Sequence, residues 1–330
     1  MTANCFNRIV LSSPRRLALP IATYPGLALT GATVREAVNN PQAQFDAVAA
    51  LHERYHAPFV LSAMDLSAEA EAFGCTLHLS DNEIPSVTGR LVTNLEQAGK
   101  LPVPQPGDRR TAVYLETVSR LKKLPSHPLV LGGCIGPFSL ASRLVGVSEA
   151  LELTLTEPDL MKVLLDKSTA FLTGYARAFK EAGADGLIMA EPAAGLLSPR
   201  GLSAYSSVYI KGIAAAVEDG QFALILHNCA ARLLHLPAIL ETGLTTFHFG
   251  APMDLPAALI KVSPDVVLCG NLDPAGVFCQ LTPPEVTARA ADLLSNTAAH
   301  RNYVLSSGCD VPAGVSLANL DAFYAAVRRR

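Results

Sequence analysis

The sequence predicts an α/β protein folded as a (β/α)8 TIM barrel, and three observations carry that expectation. Eight short apolar runs of strand length recur along the chain, and helical patterns separate most of them. The third is size: 330 residues, half of them apolar and 17% charged, supply the core of one barrel-sized domain spanning residues 1–330. The runs are 17–22, 58–63, 128–132, 186–190, 223–227, 245–249, 266–270 and 303–307. Their hydrophobicity is continuous rather than alternating, as expected of strands buried on both faces of a parallel sheet.

Helical periodicity covers 42–55, 111–123, 158–182, 201–218, 232–241, 256–261, 284–296 and 317–329. Thr282, Pro283 and Glu285 form a capping-box start for the seventh of these, and Thr156, Pro158 and Asp159 read as a similar start for the third. Gly183 stands where that third helix should stop. Two places break the rhythm: an N-terminal extension precedes the first strand, and residues 64–127 form an insertion after strand 2. Gly74, Pro85, Gly89, Pro102, Pro104, Pro106 and Gly107 predict a loop-rich cover there, over the face where barrels keep their chemistry. A passive insertion is the alternative.

Composition narrows the function. A net charge of -3 implies no basic face, so nucleic acid is a poor partner. No run reaches the length of a membrane span, and the N-terminus lacks a cationic start followed by a long apolar stretch. A cytoplasmic protein is expected. Seven scattered cysteines argue for reduced thiols rather than a disulfide framework.

The stretch FALILHNCA (222–230) concentrates the chemistry. A buried strand ends there on His227 and Cys229, and side chains at i and i+2 of an extended segment face the same way. Cys309, after a similar run and Gly308, is the candidate third ligand. Nitrogen and sulfur donors favour zinc, with small buried thiols as the competing reading. Residues following the other strands would meet at the same rim: Asp65, Cys134, Glu191, His248, Gly250, Asn271, Asp273 and Asp310. Of these, His248 reads as a core histidine, and Asp310, like Asp254, as a loop or cap residue.

The motifs GPFSLASRLVG (136–146), AEPAAGLLSPR (190–200), LHNCA (226–230), GNLDPAGVF (270–278) and SGCDVPAGVSLANL (307–320) give the chain a family likeness. It resembles the uroporphyrinogen decarboxylase superfamily, and within it the methylcobamide:coenzyme M methyltransferases. The resemblance implies Zn²⁺ on His227, Cys229 and Cys309, and a methyl group passed from a methylcobamide on a corrinoid protein to a small-molecule thiol. It registers Asp65 with the catalytic aspartate of the decarboxylases. Glu191 is expected at the metal's open position or orienting the acceptor, and Asn271 and Asp273 are expected to bind acceptor or corrinoid. Tetrapyrrole decarboxylation is the competing activity, but the stretch PIATYPGLALTG (20–31) lacks the arginines of that branch. A zinc-bearing subunit that only binds the corrinoid protein is a third possibility.

Overall fold

The computed structural model describes residues 3–328. Seven of the eight expected strands form. They are β1 (Phe59–Leu61) and, after a β2–β3 hairpin (Thr76–His78 and Ser86–Thr88), β4 (Leu129–Ile135), β5 (Gly186–Ala190), β6 (Ala223–Asn228), β7 (Thr246–Phe249), β8 (Val267–Leu272) and β9 (Tyr303–Ser307). These seven pair in parallel in the order β1-β4-β5-β6-β7-β8-β9. The sheet curls, because Phe59 and Leu61 of its first strand share one inner apolar cluster with Val267, Cys269 and Val304 of its last two. A second, larger cluster lies between the sheet and the surrounding helices.

Residues 17–22, expected as the first strand, do not form one. They touch β9 through a single parallel bridge, Ala18 to Leu305, with Leu19 N–H donating to Leu305 O at 3.0 Å and Leu305 N–H to Leu17 O at 3.1 Å. The ladder to β9 stops there because Ile21 N–H donates to the Ser307 hydroxyl and Leu19 O accepts from the Ser306 hydroxyl, and on the side facing β1 Pro20 has no N–H to offer. On its other side the segment reaches β1 through the Thr23 hydroxyl, which donates to Leu61 O. A cavity of about 40 Å³ lies between the segment and β1. The eighth position is therefore filled by a strap rather than a strand.

The helix Cys5–Ser12 closes the end of the curl at which the strands begin. Its Phe6 and Val10 enter the inner cluster, and Asn7 donates to Thr245 O and Asp265 O, just ahead of β7 and β8. The segment between β1 and β4 is more ordered than its glycines and prolines suggest. It holds the hairpin and the helices Ala68–Phe73, Leu95–Lys100 and Thr111–Leu121, and Leu91 and Val92 N–H both donate to Leu144 O. The capping box at Thr282 and Glu285 forms with both of its hydrogen bonds. Thr156 does not cap the following helix. It is the last residue of Val147–Thr156, its hydroxyl bonds back to Glu152 O, and Glu157 holds the N-cap position, a competition open to any threonine near a helix end. No helix among the described residues is long and apolar enough to cross a membrane.

Candidate metal centre

Strand alternation sets the centre. On β6, Leu224 and Leu226 face the helices while Ala223 and Ile225 face the inner cluster, so the next residue of that parity, His227, also points inward. His248 of β7 is its register partner. The two imidazoles meet at 2.8 Å through their Nδ1 atoms, and His248 Nε2 lies 2.7 Å from Ser306 Oγ on β9. The chain ends at Leu19 O, which takes a hydrogen bond from Ser306.

A carbonyl can only accept, so the Ser306 hydroxyl donates to Leu19 O and accepts a hydrogen bond from His248 Nε2–H. Burial, and then the neighbouring His227, hold His248 well below its ordinary pKa. It is therefore neutral, and its Nδ1 accepts from His227 Nδ1–H. That tautomer leaves the lone pair of His227 on Nε2, a buried atom with no hydrogen-bond partner among the described residues. His248 is the core histidine expected from sequence, and it also orients a candidate ligand.

Ligand atoms of His227, Cys229 and Cys309 all lie within 4.8 Å of one another, a group that could hold a metal ion. Pairing with Cys309 holds the Cys229 thiol below its usual range, while the same pairing, reinforced by burial, pushes Cys309 up to about 12. All seven cysteines are free. Gly250, at the end of β7, makes the approach possible: a Cβ there would sit 2.1 Å from Cys229 O and 2.6 Å from its Cα.

Two of the rim acids, Asp65 and Glu191, are committed to the protein. Asp65 is ion-paired with Arg110 in a buried contact and accepts from Tyr114 OH at 2.7 Å, Ser67 N–H at 3.0 Å and Ser67 Oγ at 2.6 Å. Arg110 also holds Glu71 and Ser67. Glu191 is fully buried and accepts from Phe138 N–H, Ser139 N–H, Ser139 Oγ and Ser206 Oγ. It caps the Pro137–Val145 helix from a neighbouring strand end, in place of the N-cap Gly136, which has no side chain. A Cβ on Gly136 would lie 2.2 Å from Glu191 Cγ.

Asn271 and Asp273 likewise serve the backbone. Asn271 Nδ2 donates to Gly250 O and Met253 O, and Asp273 caps the turn at Ala275 and Gly276. Asp254 is an N-cap, as expected, but Asp310 is not: both its carboxyl oxygens are buried without a partner. Cys134 lies within β4 and faces the helices, because that strand runs three residues further than its apolar run. Sequence reading missed Arg110, Tyr114, Tyr24 and Glu69. The first two lie four apart at a helix start, a spacing that puts them on one face, but nothing local ties them to Asp65.

The uroporphyrinogen decarboxylase (URO-D) family matches residues 22–330. A methylcobamide:CoM methyltransferase of Methanosarcina mazei is 31% identical over 290 residues, covering 85% of this chain and 84% of the relative. A uroporphyrinogen decarboxylase of Psychromonas ingrahamii is 27% identical over 273 residues, covering 80% and 76%. Among solved structures, a methyltransferase from Methanosarcina mazei superposes with a TM-score of 0.87 over 97% of this chain and 96% of its own, at 24% identity, which establishes the shared fold. The chain belongs to the uroporphyrinogen decarboxylase family, and of the two relatives compared it is more similar to the methylcobamide:CoM methyltransferase than to the decarboxylase.

Proposed function

We propose that the protein is a zinc-dependent methyltransferase that moves a methyl group from a methylcobamide, carried by a corrinoid protein, to a small-molecule thiol. The observation that carries this reading is the convergence of one imidazole nitrogen and two sulfurs, with His227 Nε2 buried and unpartnered. Tetrahedral zinc with ordinary bond lengths would hold such ligands about 3.5–3.8 Å apart, within the observed spread. Three protein ligands leave a fourth position for the acceptor, the pattern of catalytic rather than structural sites. Bound there, zinc would keep the acceptor sulfur as thiolate near neutral pH.

The chain's own residues fix the geometry. The His248–Ser306–Leu19 relay orients His227, Gly250 lets the Cys229 loop approach, and Glu191 positions the rim by anchoring the Pro137–Val145 helix. The acceptor sulfur forms a bond to the methyl carbon, the carbon–cobalt bond breaks, and its electron pair stays on the corrinoid as Co(I). Free thiols fit a reducing compartment such as the cytoplasm. The decarboxylase reading is weaker, since Asp65 is buried in four contacts to the chain and Arg110 is committed to two acids.

Metal analysis of the purified chain tests the proposal together with incubation with methylcobalamin and a panel of thiols. About one zinc per chain and thioether formation are expected. Full activity without metal would remove the zinc, and conversion of uroporphyrinogen to coproporphyrinogen would establish decarboxylation. Zinc without methyl transfer at saturating thiol would leave a binding subunit.

A further inference from the structure

Asp310 follows the ligand Cys309, yet it lies outside the metal-binding group. Both its carboxyl oxygens are shielded from solvent and have no hydrogen-bond partner among the described residues. The nearest backbone donor, Val311 N–H, is directed to Ile21 O at 2.8 Å. Arg110, the cation of the neighbouring network, is occupied by Asp65, Glu71 and Ser67. The hydroxyl of Tyr24, 1% exposed, is unpartnered too. The Val311–Ile21 bond ties the loop that carries Asp310 to the segment leading into Tyr24.

Buried polar groups are almost always paired, and those left open at a site are matched by a ligand. An acid and a phenol that the chain leaves unpaired beside a sulfur-binding centre can each accept a hydrogen bond, and a ligand group that brings several donor hydrogens satisfies both at once. We propose that Asp310, assisted by Tyr24, receives the ammonium group of the methyl acceptor, so that the acceptor is an aminothiol whose nitrogen lies a few bonds from its sulfur. This rests on the thiol-acceptor reading above and narrows its substrate class. The relatives' names point to coenzyme M for those proteins; here the buried chemistry beside Cys309 favours a cationic tail.

Thioether binding tests this without requiring methyl transfer. Calorimetric titration of the full chain, its zinc content recorded, would compare 2-(methylthio)ethylamine with 2-(methylthio)ethanol and 2-(methylthio)ethanesulfonate. The amine is expected to bind about tenfold or more tightly than the alcohol, as charge-assisted hydrogen bonds to a buried acid allow. Asp310→Asn should erase that preference at unchanged zinc content, and Tyr24→Phe should reduce it. Equal binding of amine and alcohol would overturn the proposal, as would a preference that survives Asp310→Asn. Tighter binding of the sulfonate would overturn it as well. An amine preference in a chain that holds no zinc would support Asp310 while sinking the metal reading.

Discussion

The two sides of the rim carry similar buried polar groups and use them in opposite ways. Beside β1, β4 and β5, Asp65 and Glu191 together accept eight hydrogen bonds from the chain, four each, with Glu69 Oε2 the unpartnered exception. Beside β6 and β9, His227 Nε2, the Asp310 carboxyl and, on the strap, the Tyr24 hydroxyl have none. Both sides are acidic or thiol-rich, and residues of both were candidates for the site. The contrast teaches that residue type at a strand end marks a rim position, while unfilled bonding capacity marks where a ligand belongs.

The largest effect should come from the unfilled side. Cys229→Ala or Cys309→Ala is expected to take zinc from about one per chain to almost none after dialysis and to abolish methyl transfer, with little change in folding. Retention of stoichiometric zinc by either variant would break the comparison. On the filled side, Arg110→Ala leaves Asp65 buried without its cation and should cost about 3–5 kcal/mol of stability in denaturant titration, while zinc content stays the same. A variant that lost zinc but not stability would reverse the assignment of the two sides.

His248 joins them, since it is satisfied itself and sets the lone pair of a ligand. Replacing it by Leu should weaken zinc binding by about 10–100-fold in a chelator competition; an unchanged affinity would show that the relay does not orient His227. Taken one pH unit at a time, the smallest effect is that of Glu69, whose carboxyl burial raises to about 8 from 4.5. Between those values the folded chain keeps a proton that the unfolded chain has released. Stability from this group is therefore complete below the lower value and falls by about 1.4 kcal/mol per pH unit until it is gone above the upper one. Glu69→Gln should remove that slope from the pH dependence of unfolding, and an unaltered slope would place the titration elsewhere.

Much of the fold and of the centre was legible in the chain because it follows from local pattern. Five apolar residues before His227 imply a buried strand, period two places His227 and Cys229 on one face, and a similar run delivers Cys309 to the same rim. Other features were not legible because they depend on partners distant in sequence. Residues 17–22 look as apolar as any strand, but Pro20 and the divergence from β1 reduce them to a strap. Glu191 looks like a rim acid, yet a helix start more than fifty residues upstream takes its lone pairs. Asp310 looks like another loop aspartate, and only the packing around it shows that no donor reaches it.

By itself the sequence determined the alternation of strand and helix, the identity of the three candidate ligands and the edge of the sheet on which they stand, since these depend on neighbours a few residues away. The tertiary structure decided which buried groups are satisfied: the tautomer of His227, the pairing of Asp65 with Arg110 and the open valences of Asp310. Hydrogen bonding saturates over a few ångströms, and only the folded chain fixes which distant donors come that close.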